Sequence, residues 1–348
     1  MGQGGVGASL RLVEPRQVGQ GPVCAVGTAC DRLAWGCSPL GSAAVEDSYA
    51  VPVPEPTPDA RSEALVSQLA ALTELPGVRD KAEAVRAAAT QLRFHEALRR
   101  RIPEASAESR VRGARASAAL DGADYPVDLV RELTTGVRPW PDELSPDLAT
   151  LKGAIAAPAE SERVVSIVRR APLQALARLH VAAASPVVGA DRPEILGRPR
   201  IGQEDSQEFV DVGPAPDAAE VGHRLAQLAD LVVTGSRATN RVPAAVLAAV
   251  VHGEIIGIRP FVHGNGIVAR AMERALIQAL GLDPTGVSVP EAGHLAGGAV
   301  TYTGSSAAYG KGTSAGVGLW LGRAVDALLA GVAEGERICD AVRVGRLT

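Results

Sequence analysis

Residues 259–270 read Arg259-Pro260-Phe261-Val262-His263-Gly264-Asn265-Gly266-Ile267-Val268-Ala269-Arg270. Residues 242–257, which precede them, form a nearly continuous apolar run that is too short to cross a bilayer, so they predict a buried core helix. Pro260 marks the end of that helix, because the residue before a proline avoids helical angles. The Gly-Asn-Gly turn then opens a second apolar segment, which predicts another helix over residues 265–280.

The Gly-Asn-Gly turn has the chemistry of an anion-binding site. Glycine lets the backbone approach a ligand closely, and successive amide N–H groups at the start of a helix attract negative charge. An ordinary junction between a loop and a helix has the same composition, so the turn alone leaves both interpretations open.

The whole stretch resembles the signature of the Fic family, H-P-F-x-(D/E)-G-N-G-R-x-x-R, with three reactive positions changed. In that family the histidine takes the proton from a target protein's hydroxyl, the acidic residue holds Mg²⁺, and the Gly-Asn-Gly turn cradles nucleotide phosphates. The resemblance implies a mainly α fold, with a Fic-like helical core and a short β-hairpin flap, over residues 59–348.

The three changes affect the chemistry of the site more than its shape. Arg259 stands at the histidine position, and a guanidinium with a pKa above about 12 cannot act as a base near neutral pH. His263 stands at the Mg²⁺ carboxylate position, where imidazole is a poor ligand for a hard cation. Ile267 replaces an arginine that contacts phosphate in the family. Binding of Mg²⁺ by the usual family ligand is therefore not expected, and we predict no metal ligand among the site residues.

The residues that match the family imply a site for ATP, another nucleotide or another phosphate ligand. His263 is a candidate catalytic base displaced from its usual position, since a neutral imidazole in this loop could accept a proton. The motif core is formed by Pro260 and Phe261, and the residues expected to contact phosphate are Gly264, Asn265, Gly266, Arg270 and Arg259.

Residues 117–122, Ser-Ala-Ala-Leu-Asp-Gly, resemble the inhibitory motif (S/T)-x-x-x-E-(G/N) that lies N-terminal to many Fic cores. The resemblance implies a helix over about residues 108–121 and an inhibitory segment made by Ser117, Asp121 and Gly122. Asp121 replaces the family's glutamate, and its implied partner is Arg270. The alternative is an ordinary helix end at which Asp121 is solvated.

Residues 197–212 contain two short strand-like runs separated by polar residues, which predicts a hairpin. In the Fic family such a flap holds a target segment by adding a strand to it, so the resemblance implies a protein partner there.

The 348 residues are 46% hydrophobic and 21% charged, enough to bury a large core, and the formal net charge of −4 gives no sign of a nucleic-acid surface. Residues 1–58 are rich in glycine and proline and predict a disordered arm, although a misplaced start codon would give the same composition. The spacing of Cys24, Cys30 and Cys37 does not fit the usual zinc pairs. No secretory signal or membrane span is visible, so a cytoplasmic location is expected.

The remaining pattern is helical, with residues 293–316 predicted as a loop between helices. His95, His180 and His223 are predicted to be packed core histidines. The other predicted helices cover residues 61–75, 79–101, 127–134, 161–170, 173–184, 218–233 and 315–332.

Three functional hypotheses follow. The leading one is a degenerate Fic-like protein that binds a nucleotide or another phosphate ligand, is impaired in AMP transfer, and acts as a regulator or interaction module. The first alternative is an active Fic-type transferase with altered chemistry, and the second is a non-catalytic scaffold.

Overall fold

A computed structural model describes residues 57–346, and within them the chain is mainly helical. Three short 3-10 turns, at Glu96–Arg99, Pro193–Ile195 and Val210–Val212, add to the α-helices. The α-helices are α1 (Pro58–Thr73), α2 (Val78–Arg93), α3 (Ile102–Leu120), α4 (Val127–Thr135), α5 (Pro146–Val164), α6 (Pro172–Val188), α7 (Ala218–Gly235), α8 (Ala244–Ile258), α9 (Asn265–Ala279), α10 (Pro290–Ala296), α11 (Ala299–Gly310) and α12 (Ser314–Val344).

The centre of the fold is the pair α8 and α9, which the apolar sequence predicted. Nearly every residue of α8 is buried, from Ala245 to Ile258, because the helix is apolar on all sides and is covered all round. α9 packs against α8, α5 and α6, and 13 of its residues are buried, including Asn265, Arg270 and Glu273. Polar groups in such a core need hydrogen-bond or ion-pair partners, so the buried polar side chains of α9 must each be paired with a neighbouring group.

α12 is a 31-residue helix that is long and apolar enough to cross a membrane by length and composition alone. It packs against α2, α8, α10 and α11, and 56% of its most apolar window is buried inside the protein. A helix covered in this way has the ordinary properties of a core helix.

The loop predicted over residues 293–316 is instead occupied by the end of α10 and by α11. Glycine misled the prediction, because here it permits close helix packing. A Cβ atom on Gly293 would lie 1.9 Å from the carbonyl oxygen of Ala327, and one on Gly316 would lie 2.1 Å from that of Ala308.

Several other boundaries differ from the sequence prediction. The helix predicted over residues 79–101 ends at Arg93, and the helix predicted over 161–170 is the end of α5, which begins at Pro146 and contains Pro158. His180 is buried as predicted, whereas His223 is exposed and His95 is only half-buried. The predicted arm and its three cysteines lie outside the described residues.

The β-hairpin flap predicted over residues 197–212 is not confirmed, since residues 57–346 contain no strand. This segment, which we call the flap segment and extend to residue 214, consists of turns and the 3-10 turn Val210–Val212. Its backbone carbonyls bind arginine side chains instead of another strand, as the site geometry shows.

Candidate functional site

The motif loop between α8 and α9 is closed by Asn265. Its side-chain Oδ1 accepts a hydrogen bond from the backbone N–H of Phe261 at 2.9 Å, and its Nδ2 donates to the carbonyl of the same residue at 2.8 Å. Gly264, with φ of 83°, precedes α9 in the left-handed region that glycine adopts readily. The loop is thus folded back on itself before the helix begins.

His180 packs against the motif loop. Its ring stacks on Phe261 with the centroids 3.8 Å apart, and its Nε2 donates to the carbonyl of His263 at 3.1 Å. Its Nδ1 accepts from the backbone N–H of Gly197 at 2.9 Å, which fixes the neutral tautomer. Burial lowers the pKa of His180 to about 4. The buried histidine therefore has a structural role and joins the motif loop to the flap segment.

The N-terminus of α9 binds a carboxylate of the chain itself. The side chain of Glu208, in the flap segment, accepts hydrogen bonds from the backbone N–H groups of Gly264 at 2.5 Å and Asn265 at 2.8 Å. The Nδ2 of Asn265 donates to it as well, at 2.7 Å. These donors lie at the positive end of the helix dipole, where an anion is favoured. Glu208 therefore occupies the donors of Gly264 and Asn265, which we call the cradle, and binding of a phosphate at this turn stays a prediction.

Glu208 is held there at an electrostatic cost. Burial raises the pKa of its carboxyl, the nearby charge of Asp121 raises it further, and the hydrogen bonds from Asn265 and Gly264 lower it. Burial and the second carboxylate outweigh the hydrogen bonds, so the pKa lies above its ordinary value. A group in this state is an easily neutralised occupant of the cradle.

Arg259 clamps the flap segment from the other side. Its Nη1 donates to the carbonyls of Glu208 at 3.3 Å, Phe209 at 3.2 Å and Gly213 at 2.8 Å, and its Nη2 donates to that of Pro214 at 2.8 Å. Both terminal nitrogens of the guanidinium are thus bound to backbone oxygens, whereas the buried Nε has no hydrogen-bond partner. The expected contact of Arg259 with a phosphate stays a prediction, and its observed partners are those of a structural clamp.

Backbone strain is concentrated at the same contact. Arg259 with φ of 44° and Phe209 with φ of 54° are the two non-glycine residues of positive φ within residues 57–346, and they are hydrogen-bonded to each other. Such conformations cost free energy and persist where the surrounding structure fixes them.

Arg200 joins the flap segment to the motif loop. The residue is 2% exposed, and its side chain donates to the carbonyls of Arg259 at 2.8 Å, Glu204 at 3.0 Å and Pro216 at 3.0 Å. Its backbone N–H donates to the carbonyl of Pro260 at 2.8 Å. Buried backbone oxygens of the motif loop and of the flap segment thus find their donors on one side chain. Burial, and then the charge of Arg200, lower the pKa of Arg259.

Arg270 lies one turn and a half into α9 and contacts the segment that resembles the inhibitory motif. Its Nη2 forms an ion pair with Asp121 Oδ2 at 2.8 Å, and its Nε donates to Ser117 Oγ at 2.8 Å. Its Nη2 also donates to the carbonyl of Ser117 at 3.0 Å, and its Nη1 to the hydroxyl of Tyr302 at 3.3 Å. Burial alone would lower the pKa of Arg270, but Asp121 and Tyr302 raise it above its ordinary value. Asp121 and Arg270 are therefore in contact, as the resemblance implied.

Beside the cradle lies a cavity of about 320 Å³, whose walls include Asp121, Glu208, Phe209, His263 and Ile267. His263 is exposed at the surface, and its partial desolvation, followed by the charge of Arg192, lowers its pKa. A neutral imidazole at the cavity wall keeps His263 as a candidate base. The place of the family's arginine is taken by the buried side chain of Ile267.

Sequence analysis missed three of these partners, Glu208, Arg200 and Tyr302. Each reaches the motif from a distant part of the chain, and none belongs to a recognisable pattern. Glu208 lies 57 positions before Asn265, in a polar run in which nothing distinguishes it from Glu204 or Asp205.

Structural comparison finds the same arrangement of helices in known proteins. The chain is similar to Fic-1 from C. elegans, with a TM-score of 0.55 and 16% identity over 82% of this chain and 83% of that chain. This chain has the Fic fold. A Fic domain containing signaling protein from Bacteroides thetaiotaomicron also matches, with a TM-score of 0.55 and 13% identity over 77% of this chain and 99% of that chain.

A Fic family protein from Desulfovibrio desulfuricans gives a TM-score of 0.50 at 20% identity, over 82% of this chain and 77% of that chain. At this level of identity the comparisons show the fold alone. No family model matches the sequence, and no curated protein matches it either.

Proposed function

We propose that this Fic-fold chain binds a nucleotide or another phosphate ligand at the N-terminus of α9, is impaired in AMP transfer, and acts as a regulator or interaction module. The observation that supports this most directly is the Glu208 carboxylate on the amides of Gly264 and Asn265. A site that binds the chain's own carboxylate has the geometry and dipole for an anion from solution.

The proposal includes a competition for the cradle. A phosphate must displace Glu208 from the amides of Gly264 and Asn265. Arg270, the arginine of α9 that is expected to contact phosphate, is already paired with Asp121. Both contacts are reversible in principle, because Asp121 is 22% exposed and Glu208 lines the cavity. The ground state would thus be closed by two acidic side chains, one on the amides and one on the guanidinium.

Impaired transfer is supported by Arg259, which stands at the position of the catalytic base in the Fic family. Arg259 cannot accept a proton near neutral pH, and its two terminal nitrogens donate to four carbonyls of residues 208–214. His263 also stands where the family has its Mg²⁺ carboxylate, and imidazole is a weak Mg²⁺ ligand. Protein binding at the flap segment and a cytoplasmic location belong to the same proposal.

The test is calorimetric titration of ATP into the full chain, with and without Mg²⁺, for the wild type and two variants. Glu208→Ala frees the cradle, and we expect it to bind ATP about tenfold more tightly than the wild type, since a charge-assisted competitor is removed. Asp211→Ala is the matched control: it removes one carboxylate from the wall of the same cavity without touching the amides.

Equal gains in the two variants would show that only the net charge matters and would contradict the cradle. Absence of ATP and phosphate binding even in Glu208→Ala would favour the scaffold, in which the helical core presents the flap segment to a partner. Efficient Mg²⁺-dependent AMP transfer to protein by the wild-type chain would remove the impaired-transfer half of the proposal.

The active-enzyme alternative depends on His263, which lines the cavity beside the cradle. If His263 supplies the base, His263→Ala abolishes modification of a target protein while ATP binding stays unchanged. The surface substitution His223→Ala is the control, because that histidine lies on α7, away from the motif.

A further inference from the structure

Behind Arg270, three helices bring a buried carboxylate and two imidazoles together. Glu273 on α9 lies with its Oε2 3.0 Å from His252 Nδ1, on α8, and 2.8 Å from His294 Nε2, on α10. The ligand atoms of the three residues lie within 4.8 Å of one another. The side chains of His252 and Glu273 are 0% exposed and that of His294 is 4% exposed.

The carboxylate of Glu273 is incompletely compensated. Its Oε1 is buried and has no hydrogen-bond partner, and its ion-pair partners within residues 57–346 are the two histidines, with no lysine or arginine. Buried carboxylates are paired with cations or coordinate metals, since an isolated charge in an apolar interior is costly. Two imidazoles and one carboxylate are also a ligand set that suits Zn²⁺ and related divalent metals.

We infer that His252, Glu273 and His294 form a binding site for a divalent transition metal of the Zn²⁺ class. Ligand atoms bound tetrahedrally to Zn²⁺ at about 2.0–2.2 Å lie roughly 3.4 Å apart, so the present spacing requires shifts of only a few tenths of an ångström to about 1.4 Å. The metal would link α8, α9 and α10 through one ligand from each helix.

Two neighbouring features fit this site. The Nε2 of His252 lies 2.8 Å from the hydroxyl of Tyr302, which can accept its N–H while Nδ1 binds the metal. Against His294 and Tyr302 lies a cavity of about 10 Å³, near the size needed for a single water molecule. A water there would lie beside His294, one of the three ligands.

The sequence pattern did not predict this site. The three ligands are 21 positions apart at each step along the chain, and each belongs to a different helix. The alternative without a metal is a hydrogen-bond network in which both imidazoles donate to Glu273. The two arrangements differ in metal content.

The test measures Zn²⁺ per chain by inductively coupled plasma mass spectrometry, on the full chain produced with added Zn²⁺ and then dialysed. Two variants accompany the wild type. Glu273→Gln keeps the side-chain shape and removes the ligand charge. The second variant replaces Cys24, Cys30 and Cys37 with serine, because thiolates bind Zn²⁺ tightly by themselves.

The proposal expects Zn²⁺ in the wild type and in the serine variant, and one Zn²⁺ fewer per chain in Glu273→Gln than in the wild type. Absence of metal from the wild type, metal that disappears with the cysteines, or an unchanged amount of Zn²⁺ per chain in Glu273→Gln each overturns it. Circular dichroism is used to check whether Glu273→Gln is folded. Should that variant misfold, Tyr302→Phe replaces it, and we expect roughly 10-fold to 100-fold weaker Zn²⁺ binding there; unchanged affinity in Tyr302→Phe then counts against the site.

Substitution of Co²⁺ for Zn²⁺ gives an independent readout. Nitrogen and oxygen ligands give visible absorption without the near-ultraviolet charge-transfer band that thiolates produce. Visible Co²⁺ absorption that is missing from the serine variant would assign the metal to the cysteines and overturn the proposal.

Discussion

Arg270 and Arg274 stand one turn apart on α9, both almost fully buried and both paired with a carboxylate, yet their surroundings differ. Arg274 binds both oxygens of Glu291, at 3.0 and 3.1 Å, and that carboxylate is 2% exposed. Arg270 binds Asp121, which is 22% exposed and lies at the wall of the cavity. The first pair is sealed, whereas the second faces a space that a ligand can enter.

The difference separates a structural pair from a replaceable one. Gly113 opposite Arg274 leaves just enough room for the guanidinium and Glu291, since a Cβ there would lie 2.9 Å from the first and 3.0 Å from the second. Nothing from solution can take the place of Glu291. Asp121 is partly exposed, so we expect an anion from solution to be able to replace it, and variants of the two pairs should therefore respond differently.

The largest effect is expected for Arg274→Ala. Removal of one partner from a buried ion pair leaves Glu291 uncompensated and should lower the free energy of unfolding by about 3–5 kcal/mol, measured by urea denaturation. Arg337→Ala, which breaks an exposed pair with Glu334 on α12, is the control and should cost about 1 kcal/mol or less. A similar loss in both variants would contradict the sealed pair.

The next effect is expected for Gly266→Ala. A Cβ atom there would lie 2.8 Å from Asp121 Oδ1 and 2.9 Å from Phe209 Cζ, so both must shift. We expect a destabilisation of about 1–3 kcal/mol, the usual range for overpacking, measured by urea denaturation. Gly222→Ala, in a helix position with nothing within 4 Å, should instead stabilise the protein by about 0.5–1 kcal/mol. Two stabilising substitutions would show that the packing around Gly266 is loose.

A smaller effect is expected for Asp121→Asn. Arg270 keeps its bonds to Ser117, so the loss in unfolding free energy should be about 1–2 kcal/mol. Inorganic phosphate should restore part of this loss, beyond its effect on the wild type, because it can bind the exposed side of the guanidinium. Glu291→Gln should show no such recovery. Equal recovery by phosphate in both variants would erase the distinction between the two pairs.

The smallest effect concerns pH and Glu208. The pKa of Glu208 is raised in the folded state, first by burial and then by Asp121, so its protonated form is favoured by folding. The stability that it contributes is present below the unfolded pKa and is lost as pH rises through the folded pKa. Relative to Glu208→Gln, the wild type should therefore gain stability as pH falls from 7 toward the acid range.

The comparison with Glu208→Gln isolates the contribution of the Glu208 carboxyl, because both proteins keep every other ionisable group. Thermal unfolding of both proteins across the same buffers gives the difference directly. A wild type that loses stability relative to Glu208→Gln on acidification would mean that the hydrogen bonds from Gly264 and Asn265 outweigh burial.

The sequence was most informative where the residues of the candidate site are close together along the chain. Residues 259–270 predicted the loop between two helices, and the resemblance of residues 117–122 identified the partner of Arg270. The contact between Asp121 and Arg270 could be anticipated because each residue belongs to a segment that resembles a Fic motif. Two glycines and a helix start predicted an anion site at this turn, and binding of a phosphate there stays a prediction.

The remaining features depend on tertiary packing. Glu208 and Arg200 have ordinary polar neighbours in sequence, and only the folded chain brings them to the motif loop. The predicted hairpin failed because arginine side chains bind the backbone oxygens of the flap segment. The predicted loop at residues 293–316 failed because its glycines serve contact between helices, and a count of glycines cannot distinguish contact from a break.

The contacts of Arg259 have a consequence for protein engineering. Arg259→His would place an imidazole at the start of the loop and, in the same step, remove the donors to the carbonyls of Glu208, Phe209, Gly213 and Pro214. Four backbone oxygens of the flap segment would then need new donors. Introducing a base at position 259 therefore calls for several linked substitutions, and a single one is not enough.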